Sequence, residues 1–435
     1  MRYRMPDKQD YGKSCFWQPF TNMKAGGHPL RVRSGRGVML ELEDGRRLMD
    51  CISSWWVTIH GHGRPEIAEA ISAQAKTLEQ VICAGLTHEP AEMLASRLIG
   101  LLPGHLSRVF YSDDGSTAVE VGLKMAFQYW KNMGAKGRKR FLSFEGAYHG
   151  DTLGAMSVGH RSVFTRAFSE LLFDVDFIPY PATHISDADV VTREEESLSY
   201  LDCLLSTHGR SYAALIIEPL VQGAGGMRMC RPEFLRQVEK RIRAHGILEI
   251  YDEVMTGFGR TGEYFACIRA KTAPDIICLS KGITGGFLPL AATVCTDEVF
   301  SAFYDDDPMK TFYHGHSYTA NPLGCAAALA SLDLLADGEH FRDIETWHHE
   351  FIEGLETNPR LSRLRVCGTI AAMDIDVDDA GYCSRIGPEL KAAFIERGFL
   401  LRPLGNVLYV LPPYCITKDQ LKAVYACIDD VVCRI

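Results

Sequence analysis

The chain has 435 residues, 46% of them hydrophobic and 23% charged, with a net charge of −9 at neutral pH. That balance describes a globular protein with a sizeable core in two or three domains, and the acidic excess argues against a nucleic-acid binder, which needs clustered Lys and Arg. No run of about 20 apolar residues offers a membrane helix, the polar start from Met1 to Tyr11 does not read as a signal peptide, and fourteen scattered cysteines without a C-x-x-C pair point to reduced thiols in a cytoplasm and to no metal site.

Residues 31–50 read as short strands about the turn Glu43-Asp44-Gly45-Arg46, which separates the alternating runs Val38 to Leu42 and Arg47 to Asp50. From about residue 65 helices alternate with short apolar runs. The pattern predicts helices over Pro65 to Gln80 and Thr117 to Trp130, and strands over Arg108 to Ser112 and Arg140 to Phe144, with the basic cluster Lys136 to Arg140 as a solvated turn. Further strands are expected at Ala213 to Glu218, Ile247 to Asp252, Ile276 to Ser280 and Ala291 to Cys295. Strands this apolar, separated by helices, imply an α/β fold with a mainly parallel sheet covered on both faces. After Asn321-Pro322 the composition shifts. Helices are expected over Leu323 to Leu335, Ile344 to Leu355, Pro388 to Arg397 and Lys418 to Val432, with strands near Arg365 to Ile375 and Val407 to Leu411. That tail fits a smaller α+β domain against which the N-terminal strands pack. The acidic runs Glu194 to Glu196 and Asp305 to Asp307 read as exposed loops.

Three motifs carry chemistry. Tyr111-Ser112-Asp113-Asp114-Gly115-Ser116-Thr117 joins a strand to a helix, and Thr117 with Glu120 has capping-box spacing. The small Gly115 and Ser116 would let a phosphate approach the first-turn amides, although a plain capping turn reads the same way. A dinucleotide is disfavoured, because Arg228 stands where the third glycine of G-x-G-x-x-G would follow Gly223 and Gly225. In Glu145-Gly146-Ala147-Tyr148-His149-Gly150-Asp151, Tyr148 could lie flat on a cofactor ring or simply be a core tyrosine. Asp252 and Lys281 each stand where a strand-like run stops. Ligands of open α/β sheets sit beyond the carboxyl ends of the strands, and a lysine with a carboxylate there suits an aldehyde cofactor, held by the amine and kept electron-accepting by a charge at its ring nitrogen.

The motif order, with GAYHGD, IIEPLVQGAGG, YDEVMTGFGRTG, SKGITGG and HGHSYTANPLGCAAA after the DGS turn, resembles the class III aminotransferases of the fold-type I pyridoxal-phosphate family over nearly the whole chain. The resemblance implies a large domain (61–325) with a mainly parallel seven-stranded sheet that binds pyridoxal 5'-phosphate, a small α+β domain (326–435), and an N-terminal segment (1–60) packed with it. It implies that Lys281 attaches the cofactor, Asp252 pairs with its ring nitrogen, Gly115 and Ser116 bind its phosphate, and Tyr148 and Val254 flank the ring. His316 and Ser317 match a segment that reaches the phosphate from a neighbouring subunit, which implies a homodimer. WQPFTNMK near the start, the run Cys51 to Trp56 and LLRPLGNVLYVLPPY near the end are similar to the branch that aminates 8-amino-7-oxononanoate in biotin biosynthesis. By that likeness Trp55, Tyr148, Gly315 and Arg402 contact the acceptor, and Arg402 can hold its distal carboxylate through two hydrogen bonds. Phe20 stands where relatives that use S-adenosylmethionine carry a tyrosine, and HGHSYT resembles relatives that use lysine. The expected donor is S-adenosylmethionine. The alternatives are lysine with the same acceptor, or another class III ω-aminotransferase reaction.

Overall fold

Six of the expected strands pair with a seventh, short one into a single sheet in the computed structural model, which describes residues 15–24, 29–337 and 340–434; Met1 to Tyr11 lies outside them. The first strands are β1 (Val32–Arg36), β2 (Met39–Leu42) and β3 (Arg47–Asp50), followed by a kinked single turn, α1 (Ser53–Trp56), and helices α2 (Pro65–Ala75) and α3 (Glu89–Leu101). The central region alternates β4 (Leu106–Ser112), α4 (Gly115–Asn132), β5 (Arg140–Phe144), α5 (Leu153–Val158), β6 (Asp176–Ile178), α6 (Val190–His208) and β7 (Tyr212–Ile217). A two-stranded ribbon, β8 (Val221–Gln222) and β9 (Arg228–Met229), precedes α7 (Pro232–Ala244), β10 (Leu248–Asp252), α8 (Ala266–Ala270), β11 (Ile276–Leu279), β12 (Ala291–Thr296) and α9 (Asp297–Ser301). Helices α10 (Pro322–Asp337) and α11 (His340–Glu353) lead to β13 (Leu361–Cys367), β14 (Ile370–Ile375), α12 (Ile386–Glu396), β15 (Phe399–Leu400), β16 (Val407–Val410) and α13 (Lys418–Arg434).

The central sheet runs β4-β12-β11-β10-β7-β5-β6, with β12 antiparallel to both neighbours and the five strands from β11 to β6 mutually parallel. Every residue of β7, β10 and β11 is buried, as helices on both faces require. Helix α4 packs against β10, β11 and β12. Gly122 allows that approach, since a Cβ there would lie 3.2 Å from Cys278 Sγ. The N-terminal strands form a second sheet, β1-β2-β3-β15, in which β15 from the far end of the chain pairs parallel to β3. A third sheet orders β13-β14-β16.

Three expectations need correction. Glu194 to Glu196 lies inside α6, and Glu194 shares the helix's inner face with Leu198, Leu201 and Leu205, buried at 6% exposure because Arg231 grips both its oxygens at 2.8 and 2.6 Å. The run Arg365 to Ile375 is a hairpin, β13 turning into β14 at Gly368, whose φ is +58°. The capping box of α4 is Asp114 with Thr117, one turn earlier than Thr117 with Glu120. Glu120 instead accepts the amides of Gly154 and Ala155 at 2.6 and 3.1 Å, at the start of α5. Asp305 to Asp307 is exposed, as the sequence suggests.

Candidate active site

Strands β7, β10 and β11 are neighbours and parallel, so their carboxyl ends open on one edge of the sheet. Glu218, Asp252 and Lys281 stand there, at or just past the three strand ends. Asp252 Oδ2 lies 2.7 Å from Nδ1 of the buried His149, and Oδ1 accepts the Val254 amide at 3.1 Å. Glu218 takes the amides of Tyr148 and Gly223 at 3.0 and 2.9 Å. Burial, joined by the like charge of Asp252 and opposed by His149, pushes the Glu218 carboxyl up to about 7. Burial likewise lowers the Lys281 ammonium from its ordinary value, although Asp252 and Glu218 pull the other way. The Lys281 backbone has φ +46°, a conformation that costs a non-glycine residue about 1–2 kcal/mol and persists where its surroundings hold it. Its Nζ lies 5.1 Å from the centroid of the Trp56 ring.

All three residues line one cavity of about 620 Å³, together with Gly115, Ser116, Tyr148, His149 and Val254. Gly115 and Ser116 are the first two residues of α4, so their amides have no acceptor within the helix and point out of its positive end. The cradle tolerates no extra atoms at its glycines. A Cβ on Gly115 would come within 2.6 Å of Val254 Cγ1, and one on Gly150 would overlap Ser116. The Asp151 amide bonds Ser116 Oγ at 3.1 Å and ties the two loops together. An aldehyde cofactor with a phosphate and a basic ring nitrogen fits this donor set: amides at one end, a buried carboxylate at the other, and an amine between apolar and aromatic walls.

Tyr148 also lines an adjoining cavity of about 410 Å³ with Phe164 and Tyr382. Near it, Phe20 packs edge-on against Trp55 at 5.6 Å and against Phe164 at 5.9 Å between ring centroids. The Arg402 guanidinium lies over Trp55 at 4.6 Å. Phe20, Trp55 and Arg402 thus meet, although they come from opposite ends of the chain, and they adjoin the cavity without lining it. Gly315, His316 and Ser317 do not line it either; Gly315 and Ser317 are exposed, and His316 Nε2 is 3.8 Å from Asp113 Oδ1 at the cavity edge. Sequence reasoning missed Glu218, His149 and Trp56 as lining residues. Glu218 carried the same signal as Asp252, a charge ending a buried apolar run.

The family description "Aminotransferase class-III" matches residues 22–432. An adenosylmethionine-8-amino-7-oxononanoate aminotransferase of Synechococcus elongatus is 56% identical over 96% of this chain and 98% of its own length. A protein of the same description from Geobacter sulfurreducens is 43% identical over 95% and 94%. Among solved structures, the Methanocaldococcus jannaschii adenosylmethionine-8-amino-7-oxononanoate aminotransferase superposes with a TM-score of 0.91 at 34% identity, covering 98% of each chain. An amine transaminase from an uncultivated Pseudomonas species, solved in its PLP-bound form, gives 0.92 at 30% identity, covering 98% and 99%. With a sheet edge that gathers a lysine and a carboxylate beside a helix N-terminus, and likeness across almost its full length, this chain belongs to the class III aminotransferases.

Proposed function

We propose that the chain is a pyridoxal-phosphate aminotransferase that converts the ketone of 8-amino-7-oxononanoate to the amine of 7,8-diaminononanoate, a step of biotin biosynthesis, with S-adenosylmethionine as donor. Pyridoxal phosphate, when bound, supplies an aldehyde that condenses with amines and a ring that accepts the electron pair left when a proton leaves carbon. The residues of the chain supply the rest. Lys281 would hold the cofactor through its amine, and the same Nζ would serve as the base that moves a proton at the donor's α-carbon; burial lowers its pKa and raises the neutral fraction that this requires. Asp252 holds positive charge at the ring nitrogen, and His149 fixes the orientation of its carboxylate. Gly115 and Ser116 hold the phosphate, while Val254 and Tyr148 bound the two ring faces. Trp55 and Arg402 receive the acceptor, the guanidinium taking its distal carboxylate as a fork.

The observation that carries the reading is the convergence of Asp252 and Lys281 on one cavity, joined to the acceptor by the description of the 56%-identical relative. A homodimer is part of the proposal, with the segment at Gly315, His316 and Ser317 of a second copy completing the phosphate site. The exposure of Tyr313 (73%) and Tyr318 (65%) beside that segment supports it. The fourteen unpaired cysteines suit a cytoplasmic setting, and no helix among the described residues is long and apolar enough to cross a membrane. The 1–60, 61–325 and 326–435 division is proposed as the domain plan, supported by the separate sheets. The test is a pair of half-reactions on the cofactor-loaded protein. S-adenosylmethionine should discharge the visible cofactor band, and the keto acceptor should restore it. Discharge by lysine alone overturns the donor, the alternative that the missing hydroxyl at Phe20 raises; failure of the keto compound to restore the band overturns the acceptor.

A further inference from the structure

Asp50 ends β3 with no exposed surface. Its Oδ1 accepts the Ile52 amide at 3.1 Å, and its Oδ2 accepts the Ser54 amide at 2.7 Å and the Ser54 hydroxyl at 3.0 Å. Nε2 of His62 also lies 2.9 Å from Oδ2. The chain that this carboxylate grips is strained. Ser53, Ser54 and Trp56 have φ of +49°, +59° and +67°, and Ser54 combines its φ with a ψ of −89°, close to a γ-turn form that side-chain-bearing residues rarely adopt. Such backbone persists only where its surroundings over-determine it. Among the described residues, the other side-chain hydrogen bonds of the turn run from Ser53 Oγ to Leu411 O at 2.9 Å and from Trp56 Nε1 to the Tyr409 hydroxyl at 3.1 Å, both on the C-terminal segment.

The turn delivers two tryptophans to two places. Trp55, 41% exposed, carries Arg402 on its face, while Trp56, 6% exposed, lies beside the Lys281 amine. Asp50 is also in register with Leu400 of β15, two residues before Arg402. One carboxylate therefore fixes the strained turn beneath Trp55 and sits beside the strand that delivers Trp55's guanidinium partner.

We infer that Asp50 is a positioning residue for acceptor recognition, its buried carboxylate holding the Ser53–Trp56 turn so that Trp55 and Arg402 form one preassembled carboxylate-binding face. The inference rests on the reading of Arg402 as the acceptor's anchor. Asp50→Asn keeps the shape but not the bonds, because its amide group must confront the Ser54 N–H at one carboxylate position or the Ile52 N–H at the other. Preorganisation lost in this way weakens binding more than chemistry. The variant should raise KM for the keto acceptor on the order of tenfold, with kcat within about threefold and the visible cofactor band retained. In the cofactor-free protein, acrylamide should quench tryptophan fluorescence more strongly than in wild type, and this excess should shrink in a Trp55→Phe, Trp56→Phe background. In a Trp55→Phe background, Asp50→Asn should add little to KM, since coupled residues are non-additive.

Unchanged KM and unchanged quenching overturn the inference, as does a fall of kcat and cofactor occupancy with KM unchanged, which marks a purely structural role. If Asp50→Asn does not fold, Ser54→Ala removes one of the four contacts. It should raise KM about threefold with kcat kept, and no change there overturns the inference equally. A wild-type protein that never uses the keto acceptor defeats the reading of the reaction instead, and the quenching experiment then decides the role of Asp50 alone.

Discussion

Replacing Asp252 with asparagine changes one charge and almost no volume at a buried part of the site. The carboxylate has two protein contacts, His149 Nδ1 at 2.7 Å and the Val254 amide at 3.1 Å, and the side chain is about 6% exposed. An asparagine oxygen can serve one of these contacts, and its amide group must then face the other. On the proposed reading, the larger loss is the negative charge opposite the cofactor's ring nitrogen. Removing one partner of a buried charge pair costs about 3–5 kcal/mol, and at about 1.4 kcal/mol per decade this is a slowing of the donor half-reaction by roughly 10²–10⁴-fold. The assay is single-turnover stopped-flow decay of the visible band at saturating donor, with bound cofactor quantified after denaturation. A second readout comes from Glu218. The like charge of Asp252 helps to hold that carboxyl near 7, so its titration, followed by infrared difference spectroscopy, should move to lower pH in the variant. A fully occupied Asp252→Asn enzyme whose half-reaction runs within tenfold of wild type would refute the assigned role of the carboxylate.

Two further outcomes are expected. Arg402 forms no salt bridge among the described residues and lies over Trp55, so its fork is free for the acceptor. Arg402→Ala should lower kcat/KM for the acceptor roughly 30–150-fold, the equivalent of about 2–3 kcal/mol for a part-exposed, charge-assisted pair of bonds. An acceptor analogue without the distal carboxylate should be spared, and an equal loss with that analogue would sink the assignment. Glu249 in β10 is 1% exposed, neither of its carboxylate oxygens has a hydrogen-bond partner among the described residues, and burial, reinforced by Glu239 and Asp275, pushes its pKa well above the ordinary value. Its folded pKa exceeds its unfolded one, so the folded chain keeps this proton longer. The stability tied to it is fully present below about pH 4 and drains by about 1.4 kcal/mol per pH unit as pH rises towards the folded value. Glu249→Gln should flatten that decline in melting curves between pH 5 and 8, and superimposable pH dependences would refute it.

The floor of the site was legible because buried strands read as largely apolar runs, so a charge at the end of one stands out. Asp252 and Lys281 both announce themselves in this way. Their adjacency does not, because it depends on β10 and β11 being spatial neighbours and parallel, which no local pattern specifies. Glu218 ends an equally apolar run, yet a single glutamate before a proline is indistinguishable from a strand that simply stops. The capping box was misplaced because two overlapping four-residue spacings satisfy the same rule. Tertiary structure chose Asp114 with Thr117 and left Glu120 to cap α5. Glu194 looked like part of a solvated acidic run because its partner, Arg231, is distant in sequence. The meeting of Phe20, Trp55 and Arg402 was least legible, since it joins both ends of the chain and only family resemblance brought those segments together.

That division of legibility follows the division of labour in the molecule. The cofactor floor comes from one continuous region, on strand ends and a helix N-terminus held by the central sheet, and the same floor can serve any reaction of the family. The mouth is built where the N-terminal and C-terminal segments are stitched together by backbone bonds from Cys51 to Leu400, Leu411 to Cys51 and Tyr414 to Ile59, at 3.2, 2.8 and 2.7 Å. Under the proposed roles, substitutions in Phe20, Trp55, Arg402 or the Asp50 clamp should change which molecule is received while Asp252 and Lys281 stay in place. On the proposed reading, the amino-group chemistry belongs to the middle of the chain and the choice of substrate to its two ends.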